Sequence, residues 1–394
     1  MYLTKEEEKM LEGEKGEVLE KMFRLIVRLG DIYDADKMIP VGSVQVAGVS
    51  YKSIGDPGTV FLEDMASKDT KVQVLTYLNP AGMDLENWDK LGFPKDFAKN
   101  QLRIMSAFKK MGIVVTSTCT PYLAGNLPRF REHIAWSESS AVSFSNSVIG
   151  ARTNREGGPS ALAAAICGRT PNYGLHLWEK RQPTIKVNVD ADLDFNSDFG
   201  ALGYLVGKQV KNKIPYFVGI KNAGTDQLKA LGAAMAASGA VALYHAEGLT
   251  PEADLIEKDG LETIDVGKKE LEETYEKLNT GADPDIVILG CPHASIREIA
   301  YLSEKLKDKK LKKPVWICTS RMMKETADRM GFTEIIEKAG GNIVADTCMV
   351  VSPIESMGYK TTGVNSGKAA NYLPSFCKQK VVFANIDKLV EGQL

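Results

Sequence analysis

Cysteine is the residue type in this 394-residue chain with the most chemistry to offer, and four of its six cysteines fall at the carboxyl ends of expected strands. Three of them come from Pro284 to Met349, which reads as strand, helix, strand, helix, strand. Asp285 to Leu289 is an apolar run closed by Gly290-Cys291-Pro292-His293. Ser295 then opens a helical pattern with Ile296, Ile299, Leu302 and Leu306 at three- and four-residue spacing. Pro314 to Ile317 is the next run, ending at Cys318-Thr319-Ser320-Arg321. A second helix to about Ala339 is broken by Gly340-Gly341, and Ile343 to Ala345 leads into Asp346-Thr347-Cys348. The cysteines are 27 and 30 residues apart (318 − 291 and 348 − 318), about one βαβ unit each. Parallel strands joined by right-handed crossovers point the same way, so these thiols belong at one sheet edge, where open α/β sheets bind ligands. The fourth, Cys119, ends the expected strand Gly112 to Thr116 within Ser117-Thr118-Cys119-Thr120-Pro121. Cys167 and Cys377 have no such placement, and Cys167 reads as a small core residue.

Thiols aimed at one crevice suggest a metal centre. None of the four histidines (His133, His176, His245, His293) pairs with a cysteine at zinc-finger spacing, and the closely spaced pairs of structural zinc sites are absent. An iron–sulfur cluster accepts widely separated ligands when the thiols converge. Three thiols on a four-iron cluster would leave one iron open as a Lewis acid. The spacing leaves open which three of Cys119, Cys291, Cys318 and Cys348 those are.

The elements that must position them begin with Thr4, which caps a short helix with Glu7 as its capping-box partner, and a longer helix from about Lys15 to Leu29. Val44 to Ser50 alternates like a strand and ends in Ala47-Gly48-Val49-Ser50, small enough to let backbone N–H groups approach a ligand. Val72 to Leu78 is a strand closed by the turn Asn79-Pro80-Ala81-Gly82, and Phe97 to Met111 a helix. Trp136-Ser137-Glu138-Ser139-Ser140-Ala141 reads equally as a helix cap or as a carboxylate and hydroxyls facing substrate. Gly157-Gly158-Pro159-Ser160 opens an alanine-rich helix, Ala161 to Ile166, whose free N–H groups suit an anion. Further strands are expected at Thr184 to Val189, Ile214 to Ile220 and Val241 to Tyr244, with helices at Gln227 to Ser238 and Lys268 to Leu278. Asn365-Ser366-Gly367-Lys368-Ala369-Ala370 has a phosphate-loop composition without the P-loop spacing. The resulting division is a region 1–200 carrying the first cysteine, a middle βαβ lobe 201–283, and a C-terminal βαβ lobe 284–394. The fold class is α/β.

Composition narrows the function. A net charge of −2 gives no general attraction to nucleic acid or an anionic membrane, and no apolar run approaches the roughly 20 residues of a membrane span. The acidic, helical amino terminus is unlike a signal peptide, so reduced thiols and a cytoplasmic location are expected.

Ala47-Gly48-Val49-Ser50, Asn79-Pro80-Ala81-Gly82, Thr118-Cys119-Thr120-Pro121-Tyr122, Ser137-Glu138-Ser139-Ser140, Gly290-Cys291-Pro292-His293 and Asp346-Thr347-Cys348 together resemble the aconitase X family over nearly the whole chain. The resemblance implies an aconitase-like, multi-lobed fold and a [4Fe-4S] cluster held by Cys119, Cys291 and Cys348, leaving Cys318 out. It implies substrate contacts from Gly48, Val49, Ser50, Asn79, Pro80, Glu138, Ser139 and Lys368. The implied activity is that of a hydro-lyase, dehydrating (R)-5-phosphomevalonate to trans-anhydromevalonate 5-phosphate in a modified mevalonate pathway to isoprenoids. The proton-abstracting base, a serine, is then expected on a separate small subunit, so that this chain carries no catalytic base of its own and is inactive alone. Dehydration of cis-3-hydroxy-L-proline is the alternative within the family. A cluster-bearing protein without chemistry is the alternative outside it.

Overall fold

The computed structural model describes residues 1–394 and contains three parallel sheets, each followed by helices in the βαβ manner. In the first, Ser43–Val46 lies between Leu75–Leu78 and Ala135–Trp136. In the second, the order is His245–Ala246, Pro215–Val218, Ile185–Asp190, Thr263–Gly267. In the third, it is Gly341–Ala345, Val315–Thr319, Ile286–Leu289, Thr361–Val364, Lys380–Phe383. A two-stranded antiparallel ribbon, Met38–Pro40 with Arg169–Pro171, closes the first lobe.

Each parallel sheet reverses its winding beside its first strand in sequence, and the carboxyl ends at such a reversal form a crevice. In the third sheet the reversal lies between Ile286–Leu289, which leads to Cys291, and Thr361–Val364, which leads to Lys368. In the first it lies between Ser43–Val46, which leads to Gly48, and Ala135–Trp136, which leads to Glu138. The strand Ile185–Asp190 sits inside the middle sheet, which therefore draws on residues before position 201.

The central strands of the third sheet are buried on both faces, as their unbroken apolar runs require. One face packs with the middle lobe in a shared core around Phe199, Phe217, Tyr244, Ile288 and Leu373. The other is covered by the helices Ile296–Leu306 and Phe332–Ala339. A separate core, with Phe23, Val44, Leu78 and Phe108, fills the first lobe. No helix is long and apolar enough to cross a membrane.

Several expected elements differ in extent. Gly112 to Thr116 is not a strand; only Val114 bridges, to Tyr77, because the chain turns away after one pair. Val241 to Tyr244 is irregular, and its strand is the two-residue His245–Ala246 that follows. The helix expected after Cys318 is two helices, Arg321–Arg329 and Phe332–Ala339, broken where Gly331 takes φ +77°. Cys318 itself lies inside the strand Val315–Thr319, fully buried, because pairing with Gly341–Ala345 carries that strand past its apolar run. A buried carboxylate already lies beside the helix start at Gly157–Ser160. The protein's own Glu156 carboxylate is there, accepting from Ser160 Oγ at 2.6 Å and Thr170 Oγ1 at 3.1 Å.

Candidate active site

Loops from the first and third sheets meet edge to edge. Ala81 N–H donates to the Asp346 carbonyl at 2.8 Å, and Cys348 N–H donates to the Ala81 carbonyl at 3.0 Å. The turn after Leu78 and the turn carrying Cys348 are thereby joined as if by two rungs of a parallel ladder. Gly82 is required at this contact, since a Cβ would lie 2.6 Å from the Val351 carbonyl and 2.7 Å from Ser50 Oγ. Gln101, fully buried, holds the same corner by accepting from Gly82 N–H (3.2 Å) and Tyr51 N–H (3.1 Å) while donating to the Val49 carbonyl (2.9 Å).

A buried ionic pin reinforces the seam. Arg321 Nη2 lies 2.6 Å from Asp84 Oδ1 and also pairs with Asp346 Oδ2, while Asp84 Oδ2 accepts from Ala345 N–H at 3.0 Å. Burial opposes the Arg321 charge, but the two carboxylates outweigh it and raise its pKa further above the ordinary guanidinium value.

Each thiol of interest sits in a loop rather than a strand. Cys291 follows Gly290, whose φ of +87° and carbonyl neighbour (a Cβ would be 2.0 Å from Cys318 O) admit only glycine. Cys119 follows Thr118, whose N–H is tied to Leu78 O at 2.9 Å and whose carbonyl accepts from Gln45 Nε2 at 2.9 Å. All six cysteines are free. Burial raises the pKa of Cys119, Cys291 and Cys348, that of Cys291 to about 12, and the Lys368 ammonium is the largest opposing influence on all three. Glu138 and Lys368 influence all three thiols, so these side chains share one neighbourhood.

Lys368 arrives on the first turn of the helix Gly367–Cys377, capped by Ser366 Oγ, which accepts from Ala369 N–H at 3.1 Å. It is 7% exposed. Its Nζ donates to Glu138 Oε1 and, at 3.2 Å, meets Ser140 Oγ. Glu138 Oε2 accepts from Asn79 Nδ2 at 2.8 Å, and Oε1 accepts from Ser139 Oγ (3.3 Å), Ser140 Oγ (3.1 Å) and Ser140 N–H (3.3 Å). Glu138 is therefore both the helix cap and the crevice carboxylate, the two readings its sequence left equal. Burial alone would raise its pKa, but Lys368 and the donated hydrogen bonds hold it down at about 2.

Of the expected contacts, Asn79, Glu138, Ser139 and Lys368 form this one network. Pro80 is buried in the adjoining turn. Gly48, Val49 and Ser50 form the entry to the helix Tyr51–Ser67, with Gly48 exposed at φ +78°. Their three N–H groups donate to nothing in the chain, whereas the neighbouring Ala47 N–H is taken by Ser137 Oγ at 2.6 Å. Ser50 Oγ is already engaged, donating to Val351 O at 2.8 Å and accepting from Lys52 N–H at 3.2 Å. Asn79 Oδ1 is buried and accepts no hydrogen bond. Sequence reasoning missed Gln101, Asp84 and Arg321, which act through contacts between residues far apart in the chain.

No three His, Cys, Asp or Glu side chains close around a point suited to one ion. Free thiols, a nearby cation and a backbone N–H donated to one sulfur (His293 N to Cys119 Sγ, 3.2 Å) make a donor set that suits an iron–sulfur cluster.

Comparison with known proteins agrees along the whole chain. Models of the aconitase X first, second and third domains match residues 1–179, 183–276 and 284–394. The phosphomevalonate dehydratase large subunit of Methanocaldococcus jannaschii is 60% identical, covering 100% of both chains. That of Methanothermobacter thermautotrophicus is 51% identical over 97% of this chain and 96% of its own. The cis-3-hydroxy-L-proline dehydratase of Pseudomonas aeruginosa is 32% identical, over 97% of this chain and 68% of its own length. The crystal structure of Thermococcus kodakaraensis aconitase X in its holo-form superimposes with a TM-score of 0.95 at 50% identity, covering both chains fully. With the same three domains in the same order and one fold throughout, this chain belongs to the aconitase X family.

Proposed function

We propose that the chain is the large subunit of a phosphomevalonate dehydratase, a hydro-lyase that converts (R)-5-phosphomevalonate to trans-anhydromevalonate 5-phosphate in the cytoplasm. Cys119, Cys291 and Cys348 would hold a [4Fe-4S] cluster through three ligands, and that cluster would supply Lewis-acid activation of a hydroxyl leaving group. The observation that carries this reading is the convergence of three loop thiols with the Lys368–Glu138 pair where two sheet edges meet. Full-length similarity to large subunits of that name supports the substrate.

The chain's own residues then have distinct tasks. Lys368, held by Glu138 and Ser140, presents its remaining N–H bond to an oxyanion of the substrate. The open N–H groups of Gly48, Val49 and Ser50, at a helix start, offer a second anion seat. Asn79, anchored through its amide nitrogen to Glu138, has a free Oδ1 to accept from a substrate hydroxyl. No side chain here is assigned as the base, which the small subunit would bring.

The test is anaerobic co-expression with a candidate small subunit, followed by assay of water loss from (R)-5-phosphomevalonate and from cis-3-hydroxy-L-proline. Turnover of the former alone, with iron and acid-labile sulfide in the protein, is expected. Turnover of hydroxyproline alone would move the assignment to the other branch of the family, and zinc in place of iron and sulfide would end the cluster reading.

A further inference from the structure

His293 contacts all three thiol-bearing loops at once. It lies two residues after Cys291. Its Nε2 is 2.9 Å from the carbonyl of Thr347, which precedes Cys348. Its Nδ1 is 3.0 Å from Oγ1 of Thr118, which precedes Cys119. Its backbone N–H donates to Cys119 Sγ at 3.2 Å, and its carbonyl accepts from Lys229 Nζ at 3.2 Å. The ring is buried, 1% exposed.

The partners fix the tautomer. A carbonyl oxygen only accepts, so Nε2 carries the proton and donates to Thr347 O. Nδ1 is then the acceptor of a hydrogen bond donated by the Thr118 hydroxyl. The Thr118 oxygen in turn accepts from Thr120 N–H at 3.1 Å. A directed chain thus runs from Thr120 through Thr118 and the ring to Thr347, crossing from the first-lobe loop to the third-lobe loop. Each group in it is buried, so each missing partner leaves an unsatisfied polar atom.

We infer that His293 is a positioning residue that sets the mutual spacing of Cys119, Cys291 and Cys348 and so governs how firmly they retain an inorganic cluster. This rests on the cluster reading above. Metal-site ligands are characteristically oriented by such outer hydrogen bonds, whose loss weakens metal retention by roughly 10–100-fold.

The experiment uses the full chain, with cluster reconstituted anaerobically, and follows iron release to a chelator together with the EPR line shape of the dithionite-reduced cluster. Thermal unfolding of the cluster-free chain is measured in parallel. For His293→Ala, iron release about tenfold faster and an altered line shape are expected. His293→Gln, whose amide can still donate to Thr347 O, is expected to restore much of the retention. Thr118→Val, which keeps the ring but removes the donor to Nδ1 and the acceptor of Thr120 N–H, is expected to show a smaller acceleration, about threefold; these two variants decide the matter if His293→Ala does not fold. Release rates and line shapes equal to the unmodified chain in all three would overturn the inference while leaving the cluster reading intact. So would equal losses in His293→Ala and His293→Gln that track a fall in cluster-free stability, since that marks a general structural role. Absence of iron and sulfide from the reconstituted unmodified chain would instead refute the cluster reading, and the inference with it.

Discussion

Two lysines of this chain are buried beside carboxylates, and only one is in the crevice. Lys229, 3% exposed at the seam of the middle and third lobes, has two carboxylates: Asp226 at 3.0 Å and Glu298 at 2.5 Å. Lys368 has one, Glu138, and its other ionisable neighbours are thiols. In both cases burial opposes the charge and the carboxylates outweigh it, so both remain ammonium ions. The difference is in what remains unbalanced. Lys229 is fully matched, with burial pushing Glu298 toward its protonated form beside Asp226, and Ser295 Oγ donates to Asp226 at 2.8 Å, so this cluster is closed upon itself. Lys368 is matched only while its surroundings stay neutral, so each new anion in the crevice, thiolate or substrate, meets a favourable potential. A buried ion pair is by itself weak evidence for a site; the count of opposing charges separates strut from site.

Changes at the two lysines test that contrast most severely. Lys368→Met is expected to lower turnover of the reconstituted enzyme by roughly 10³-fold, the scale for losing a preorganised charge at a reacting centre. Loss of less than tenfold in steady-state assays would break the comparison from the crevice side. Lys229→Met leaves Asp226 and Glu298 facing one another without a cation and is expected to destabilise the fold by about 3–5 kcal/mol, read by denaturant unfolding. An unchanged midpoint would break it from the other side. Glu138→Gln removes the charge that holds the buried Lys368 as an ammonium ion while leaving an amide oxygen to accept from it, and turnover is expected to fall up to about 100-fold, the cost of a displaced catalytic group.

Proton linkage gives a gentler probe away from both lysines. Burial lowers the pKa of His176 to about 3 and His245 to about 4, from 6.5. The unfolded chain therefore takes up protons first as pH falls below 6.5, and these residues' contribution to stability, complete above that pH, is lost toward pH 4. The stability gap between the unmodified chain and His245→Gln should narrow across that window by at most about 1.4 kcal/mol per pH unit. A gap constant from pH 7 to 4 would show the ring exposed to solvent. The smallest effect is expected at the exposed pair Lys268–Glu272 (3.7 Å), where Lys268→Ala should change stability by no more than about 0.5 kcal/mol.

How much of this was legible beforehand follows from how local each signal is. The loops of Cys291 and Cys348 could be placed because an apolar run, a turn residue and a helix cap lie within ten residues of each other. Ser295 does cap its helix, with Glu298 completing the box. Cys119 was placed for an incomplete reason: its expected strand contributes a single bridge, yet its loop still leaves the sheet's carboxyl edge. Cys318 was misplaced by two residues of strand that only pairing with Gly341–Ala345 could reveal. The roles of Asp84, Gln101, Arg321 and His293 were invisible, because a hydrogen bond spanning 175 or 237 residues leaves no periodicity to detect.

The double rung between Ala81 and the Asp346–Cys348 turn has a consequence for traffic through the crevice. Separating the first and third lobes by a clamshell swing would break both rungs and the Arg321 pin before any gap appeared at the thiols. Those two walls therefore behave as one rigid jaw, and shielding of the reactants from bulk water falls to whatever covers the rim.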